Sequence, residues 1–215
     1  MRYKLAIFDM DGTILDTLDD LTDTMNHCLQ KYNLPVRTKA DVRSFVGNGI
    51  LRLVEQGVPN ETDTKQIENI YQEFLDYYKI HSADKTKPYD GILCLLCKLK
   101  EQGFMTAVVS NKADSAVQKL CEKYFNGLFD VAVGEQATVR RKPAPDSVNA
   151  VLKQLNIDKK NAVYIGDSEV DIQTAQNTKI SCVSVGWGFR DREELMDYGA
   201  EVIVSTVDEL YAAIL

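Results

Sequence analysis

The stretch FDMDGTILD, residues 8–16, decides the fold of this chain and much of its chemistry. It follows directly on the apolar run LAIF, residues 5–8, which predicts a short buried strand. Asp9 and Asp11 stand two residues apart just past the strand end, so both carboxylates can face one pocket while Gly12 allows a sharp turn. Carboxylates in a dry pocket need a partner, and a divalent cation is the natural one. A solvated turn could carry the same residues, so the rest of the chain must decide.

Three further groups of polar residues stand where predicted strands end or helices begin. Residues 108–111 (VVSN) close an apolar run with a hydroxyl and an amide, and residues 163–171 (VYIGDSEVD) end another run in a second acidic cluster. Between them, Lys142 precedes the helix-start signal of residues 143–146 (PAPD). All three groups fit the same pocket as Asp9 and Asp11, which favours a shared site over a solvated turn.

The wider pattern is an alternation of short apolar strands with helices. Strands are predicted near residues 4–9, 105–110, 130–134, 162–167, 181–185 and 201–204. Helices are predicted near residues 90–102, 113–125, 145–156, 169–178, 191–198 and 206–214. This alternation is typical of an α/β fold, a doubly wound parallel sheet whose ligand crevice lies beyond the carboxyl ends of the strands. Asp9, Ser110 and Asp167 all fall at such ends, so the fold alone should bring them together.

The alternation is interrupted after the first strand. About seventy residues there are too many for a simple crossover, and they predict an inserted all-helical cap domain. We therefore expect a catalytic core formed by residues 1–16 and 88–215 and a helical cap formed by residues 17–87. Three cap helices are predicted at residues 18–32, 41–56 and 61–81, with helix-start residues Thr38 and either Thr62 or Thr64.

The bulk composition limits the partners and the compartment. A net charge of −7 with dispersed basic residues argues against nucleic acid and acidic membranes as partners. No apolar run is long enough for a membrane span and no signal-peptide pattern precedes the first strand, so we expect a cytoplasmic protein. We also expect a monomer or weak dimer. Cys94 and Cys97 form a C-x-x-C, but we expect both thiols to pack on the apolar face of a helix rather than to bind metal.

In their order and spacing, the four motifs resemble those of the haloacid dehalogenase superfamily of phosphotransferases. The likeness spans nearly the whole chain. Residues 9–13 (DMDGT), 166–171 (GDSEVD) and 186–190 (GWGFR) look most like phosphoglycolate phosphatases and their close relatives. The resemblance implies a Rossmann-like core, the helical cap, and hydrolysis of a phosphate ester.

Such hydrolysis needs a nucleophile in line with the scissile bond, neutralised phosphoryl oxygens and a proton for the leaving alkoxide. Asp9 is the candidate nucleophile because its carboxylate can form an acyl phosphate, and Asp11 is the candidate general acid and then base. The resemblance implies this division of roles, whereas the spacing alone also permits the reverse. Ser110 and Asn111 can donate hydrogen bonds to phosphoryl oxygens, and Lys142 supplies a fixed positive charge.

A metal site is expected at the same strand ends. Four aspartates in one crevice could not accept a phosphate dianion without a cation, and all-oxygen ligands beside a phosphoryl group point to Mg²⁺. The resemblance implies that the side chains of Asp9 and Asp167 and the backbone carbonyl of Asp11 bind the metal. Asp171 lies about one helical turn beyond Asp167 and is expected to act on the metal through water or to orient Lys142.

The remaining candidates concern the substrate. Thr13 belongs to the tight turn that leads into the cap, and we count it with the substrate-binding residues. In the cap, residues 43–49 (RSFVGNG) are either a simple helix break or a substrate-contacting loop in which Arg43 and Asn48 bind the substrate.

The sequence predicts a Mg²⁺-dependent phosphatase for a small phosphorylated metabolite, acting through an aspartyl-phosphate intermediate. Phosphoglycolate is the first-choice substrate. A pyrophosphatase, a sugar-phosphate phosphatase and a phosphomutase of the same superfamily remain as alternatives, although the mutases typically carry valine where this chain has Thr13. The non-enzyme alternative is a phospho-accepting signalling module, which has no need of an acid two residues after the nucleophile.

Overall fold

The computed structural model describes residues 2–215. The chain folds into two compact units. One, here called the core unit, joins the N-terminal residues up to Leu15 to Pro88–Leu215, and the other, the helical unit, is Asp16–Lys87.

The core unit contains a parallel six-stranded sheet in the order β5-β4-β1-β6-β7-β8. In the centre, β1 is fully buried and pairs on both sides, with Phe8 level with Val108 of one neighbour and Ile165 of the other. The direction in which strands are added reverses beside β1, and this is where open α/β sheets bind ligands. Two short strands not foreseen from the sequence, β2 and β3, pair separately. The strands are β1 Leu5–Phe8, β2 Leu15–Asp16, β3 Lys87–Pro88, β4 Met105–Ala113, β5 Val131–Glu135, β6 Ala162–Gly166, β7 Ser181–Val185 and β8 Ile203–Val204.

The helical unit contains four helices where three were predicted. The segment 41–56, predicted as helical with a possible break at residues 43–49, forms two helices, because the chain breaks between Phe45 and Ile50, where Gly49 has a φ of +81° that a helix cannot contain. Thr38 begins its helix with a capping box, as expected, but Asp63 rather than either threonine caps the last one. The helices are α1 Leu18–Lys31, α2 Lys39–Phe45, α3 Ile50–Gly57 and α4 Thr64–His81.

In the described part of the core unit, six α-helices flank the sheet, so the predicted α/β fold class is confirmed. They are α5 Ile92–Glu101, α6 Asp114–Phe125, α7 Asp146–Gln154, α8 Glu169–Thr178, α9 Arg192–Asp197 and α10 Val207–Ile214. Among the described residues, no helix combines the length and the apolar composition that a membrane span requires.

The orientation of α5 corrects one expectation. Cys94 and Cys97 are both exposed, and the buried face of the helix is formed instead by leucine and isoleucine side chains. The two thiols therefore do not contribute to the core.

Candidate active site

The carboxyl ends of three adjacent strands bring the sequence motifs together. Asp9 follows β1, Ser110 lies in the last part of β4, and Asp167 follows β6. The backbone N–H of Asp9 donates to the carbonyl of Ile165 at 2.9 Å, which extends the pairing of β1 and β6 by one step into the site. Lys142 enters from the loop before α7.

The carboxylate of Asp9 is the most accessible of the acidic groups that surround Lys142. Its side chain is 13% exposed, and one oxygen lies 3.0 Å from Nζ of Lys142. Burial raises the pKa of Asp9 to about 6; Lys142 opposes this shift, and the nearby charges of Asp171 and Asp11 add to it. An ionised Asp9 is therefore an energetically unfavourable group in the free site, as expected of a carboxylate that acts on a ligand.

Lys142 is buried and held from several directions. Its ammonium donates to Oδ1 of Asp171 at 2.8 Å and to the hydroxyl of Tyr164 at 2.9 Å. Tyr164 donates in turn to the carbonyl of Val109. Burial alone would lower the pKa of Lys142, but the charges of Asp171 and Asp9 outweigh it and hold the pKa well above its ordinary value. The lysine thus supplies a permanent positive charge beside Asp9.

Both oxygens of Asp171 already bind protein donors. Oδ1 accepts from Lys142, and Oδ2 accepts from the backbone N–H groups of Asp167 and Ser168 and from the Ser168 hydroxyl. Of the two roles that the sequence leaves open, this geometry favours orientation of Lys142.

Asp167 is buried, and its hydrogen-bond donors among the described residues are neutral. Its Oδ1 accepts from the hydroxyl of Thr13 and its Oδ2 from the backbone N–H of Phe189, each at 2.8 Å. Burial raises its pKa well above the ordinary value, with further contributions from the charges of Asp171 and Asp9, and those two hydrogen bonds lower it only in part. A charged Asp167 therefore calls for a cation.

The donor set fits Mg²⁺. Carboxylate oxygens of Asp9, Asp167 and Asp171 lie within 4.8 Å of one another, and all are hard oxygen ligands. Two glycines keep side chains away from Asp167, since a Cβ at Gly12 would lie 2.2 Å from its Oδ2 and one at Gly188 would lie 2.5 Å from the same atom. The side chains of Asp9 and Asp167 are the ligands that this arrangement supports best.

The other predicted core residues lie at the same site, and each of the three contacts a protein group. The hydroxyl of Thr13 holds Asp167, and the Asn111 amide donates to the backbone carbonyl of Lys142 at 3.1 Å. Ser110 is buried at the end of β4 and its hydroxyl accepts a long bond, 3.4 Å, from the backbone N–H of Lys112. Thr13, counted with the substrate contacts from the sequence, is therefore better described as a support for Asp167.

Two predicted substrate contacts belong to the helical unit. Arg43 lies in the last turn of α2, and Asn48 lies in the loop that separates α2 from α3. Both are partly buried. Their role in binding substrate stays a prediction.

Lys112 is the functional candidate that sequence reasoning missed. Its ammonium lies 3.0 and 3.1 Å from the two carboxylate oxygens of Asp11, and the lysine side chain is 3% exposed. The available signal was its place directly after Ser110 and Asn111, as the third polar residue in a row at the end of a buried strand.

Sequence reasoning also missed an ion pair next to the acidic cluster. The guanidinium of Arg190 binds both oxygens of Glu169 through Nε and Nη2, at 2.9 and 3.1 Å. The ring N–H of Trp187 donates to the carbonyl of Thr13 at 3.1 Å. These contacts join the GWGFR segment to Thr13, in the turn after β1, and to Glu169, the first residue of α8.

Comparison with known proteins agrees with this geometry. The model of the family described as haloacid dehalogenase-like hydrolase matches residues 6–185. A phosphoglycolate phosphatase of Mesorhizobium japonicum is 29% identical over 98% of this chain and 94% of its own length. An N-acetylmuramic acid 6-phosphate phosphatase of Pseudomonas aeruginosa is 32% identical, again over 98% of this chain and 94% of its own length.

A solved structure extends the likeness to the whole fold. A provisionally assigned phosphoglycolate phosphatase from Lactobacillus delbrueckii subsp. bulgaricus is 40% identical, with a TM-score of 0.96 and coverage of 100% of this chain and 99% of that one. The family match, the named phosphatases and the shared fold confirm the resemblance drawn from the motifs. The chain is a phosphoric monoester hydrolase and belongs to the haloacid dehalogenase-like hydrolases.

Proposed function

We propose that this chain is a Mg²⁺-dependent phosphatase that hydrolyses a small phosphorylated metabolite through a phosphorylated Asp9. The observation that carries the proposal is the setting of Asp9. Its carboxylate is partly exposed, lies 3.0 Å from a buried lysine ammonium, and has an oxygen within 4.8 Å of oxygens of Asp167 and Asp171. A carboxylate in such a setting is suited to attack phosphorus, because nearby positive charge can neutralise the phosphoryl oxygens.

Each residue of the site has a separate role in the proposed reaction. Asp9 attacks phosphorus, while Lys142, Ser110 and the backbone around Asn111 bind the phosphoryl oxygens. Asp11 donates a proton to the leaving oxygen and later takes one from the water that hydrolyses the acyl phosphate. Bound Mg²⁺ would supply positive charge that compensates the aspartates and the phosphoryl group.

The reverse assignment of the two aspartates has less support. Asp11 is paired through both oxygens with Lys112, and it is not part of the group of clustered carboxylate oxygens formed by Asp9, Asp167 and Asp171. Exposure does not separate the two, since their side chains are 13% and 16% exposed and each has a lysine neighbour; the clustering of Asp9 with Asp167 and Asp171 is what favours Asp9. The phospho-accepting signalling module is excluded by the family to which the chain belongs.

For the substrate, we propose phosphoglycolate first. Several relatives of similar length carry that name, including the Mesorhizobium protein. A second candidate is a sugar 6-phosphate, because the Pseudomonas relative at 32% identity is named for N-acetylmuramic acid 6-phosphate. Arg43 and Asn48 are the helical-unit residues that we propose to select between such leaving groups.

A kinetic panel tests the proposal. The purified chain should release phosphate from phosphoglycolate and from p-nitrophenyl phosphate only when Mg²⁺ is added, and kcat/KM should be highest for the physiological substrate class. Hexose 6-phosphates, pyrophosphate and N-acetylmuramic acid 6-phosphate complete the panel. Metal-independent turnover, or no turnover of any ester, would contradict the proposal. A clear preference for pyrophosphate or a sugar phosphate would replace phosphoglycolate but leave the mechanism standing.

A further inference from the structure

Lys112 is a buried cation directed at Asp11. The lysine belongs to the core unit, and three consecutive polar residues precede the last residue of β4: Ser110, Asn111 and Lys112, all of which are buried. The pairing of β4 with β5 is irregular between Val109 and Ala113, so these residues do not follow the regular strand. A lysine is almost never buried unless it is paired. Here both carboxylate oxygens of Asp11 lie within 3.1 Å of the ammonium.

The pair changes the charge balance of the site. Lys142 contacts Asp9 and Asp171, and Lys112 contacts Asp11, so the lysines stand in separate ion pairs. Asp167 is left with neutral donors among the described residues. A divalent cation beside Asp9 and Asp167 would bring four aspartates and two lysines to neutrality before a phosphate dianion enters. Lys112 is therefore placed to act on Asp11 rather than on the metal.

We infer that Lys112 is a positioning residue that holds the Asp11 carboxyl group for proton transfer to the leaving oxygen. The inference rests on the proposed function. As the bond between Asp9 and phosphorus forms, the bond from phosphorus to the leaving oxygen breaks, and the Asp11 proton moves to that oxygen. Asp11 is left as a carboxylate paired with Lys112, the contact that the structure contains. The same carboxylate then takes a proton from the water that attacks phosphorus, while the bond between Asp9 and phosphorus breaks, which frees the Asp9 carboxylate and releases phosphate.

Two other roles for Lys112 make different predictions. If it bound the phosphoryl group, its loss would slow every substrate, because that group is common to all esters. If it served only to stabilise the fold, activity would fall with the amount of folded protein and by one factor for all esters. A residue that positions the general acid matters most where the leaving oxygen needs a proton.

The test compares Lys112→Met with the parent on two substrates. An alkyl phosphate such as phosphoglycolate has a leaving group that needs a proton, whereas p-nitrophenolate leaves with little help. We expect kcat/KM for the alkyl ester to fall at least about tenfold further than for the aryl ester. Lys112→Arg, which keeps a charged donor, should recover part of the alkyl activity. Lys100→Met, which removes a lysine paired with Asp130 elsewhere in the core unit, is the matched control and should leave the ratio unchanged.

A double variant distinguishes a positioning role of Lys112 from a role in stabilising the fold. In the Asp11→Asn background, Lys112→Met should not change the ratio between the substrates further, since the group it positions is gone. If Lys112→Met does not fold, as judged by thermal unfolding, Lys112→Gln is measured with the same substrates and the same expectation.

Equal losses on both esters, no loss, or a larger loss on the aryl ester would overturn the role given to Lys112. A parent enzyme that hydrolyses neither ester would instead contradict the proposed function, so the two failures can be told apart.

Discussion

The substitution Asp9→Asn should abolish turnover and, at the same time, stabilise the metal-free protein at neutral pH. The reason is the cost of an ionised Asp9 in the fold. Burial raises its pKa from the ordinary 3.8 to about 6, against the opposing effect of Lys142 and with the help of the charges on Asp171 and Asp11. An asparagine of the same size carries no charge and avoids that cost.

The size of the effect follows from the shift. The pKa rises by about 2 units, from 3.8 to about 6, and each unit corresponds to about 1.4 kcal/mol, so the ionised form costs up to about 3 kcal/mol. That shift already includes the opposing attraction of Lys142, and we expect a net gain of about 1–3 kcal/mol for the variant. Between pH 3.8 and 6 the folded parent binds more protons at Asp9 than the unfolded chain, so parent stability falls as the pH rises through this window. The advantage of the variant should therefore be small at pH 4 and complete above pH 7.

Urea unfolding in the presence of a chelator, at several pH values from 4 to 8, measures the difference. Asp130→Asn is a control of opposite sign. Burial tends to raise the pKa of Asp130, but hydrogen bonds from Lys100 and from Thr106 outweigh it and hold the pKa below 3.8. That variant should lose stability at neutral pH. If Asp9→Asn is less stable than the parent at pH 8, or if its advantage does not depend on pH, the electrostatic account of Asp9 is wrong.

Three further predictions concern activity. Asp11→Asn should slow alkyl phosphates far more than p-nitrophenyl phosphate, and equal losses in kcat/KM would show that Asp11 serves structure or metal binding instead. Arg43→Ala and Asn48→Ala should redistribute kcat/KM among the substrates of the panel without changing the Mg²⁺ concentration that gives half-maximal activity; a single common factor for all substrates would refute a role in specificity. Gly12→Ala places a Cβ 2.2 Å from Oδ2 of Asp167 at a φ of +82°, so it should weaken Mg²⁺ activation at least about tenfold, and an unchanged Mg²⁺ titration would contradict the assignment of Asp167 to the metal.

The arrangement of the core sheet was predictable because it depends on local patterns. The run LAIF is apolar without interruption, as a strand buried on both faces must be, and three of the four motifs stand at the end of such a run. The parallel register then sets Phe8 level with Val108 and Ile165, so the residues that follow these strands converge. In the helical segment, the glycines of residues 43–49 indicate a break, but helical residues continue on both sides, so the pattern of apolar residues could not show at which residues α2 ends and α3 begins.

The missed features depend on contacts between distant parts of the chain. Lys112 and Asp11 are 101 residues apart, and nothing near Lys112 in the sequence shows that its ammonium is directed at a carboxylate. Cys94 and Cys97 illustrate a different limit. Leucine and isoleucine side chains form the buried face of α5. Cysteine is small enough to lie on either side of a helix, so the sequence alone did not show that Cys94 and Cys97 lie on the exposed side.

The measurement that bears most directly on the central claim is the identification of the residue that becomes phosphorylated. The parent enzyme is mixed with labelled substrate and Mg²⁺, quenched in acid within one turnover, digested and mapped by mass spectrometry. We expect a phosphate on the peptide that contains Asp9, released by hydroxylamine as an acyl phosphate must be, and absent from Asp9→Asn. A hydroxylamine-resistant phosphate on Ser110, or labelling of Asp11 in its place, would contradict the assignment of Asp9 as the nucleophile.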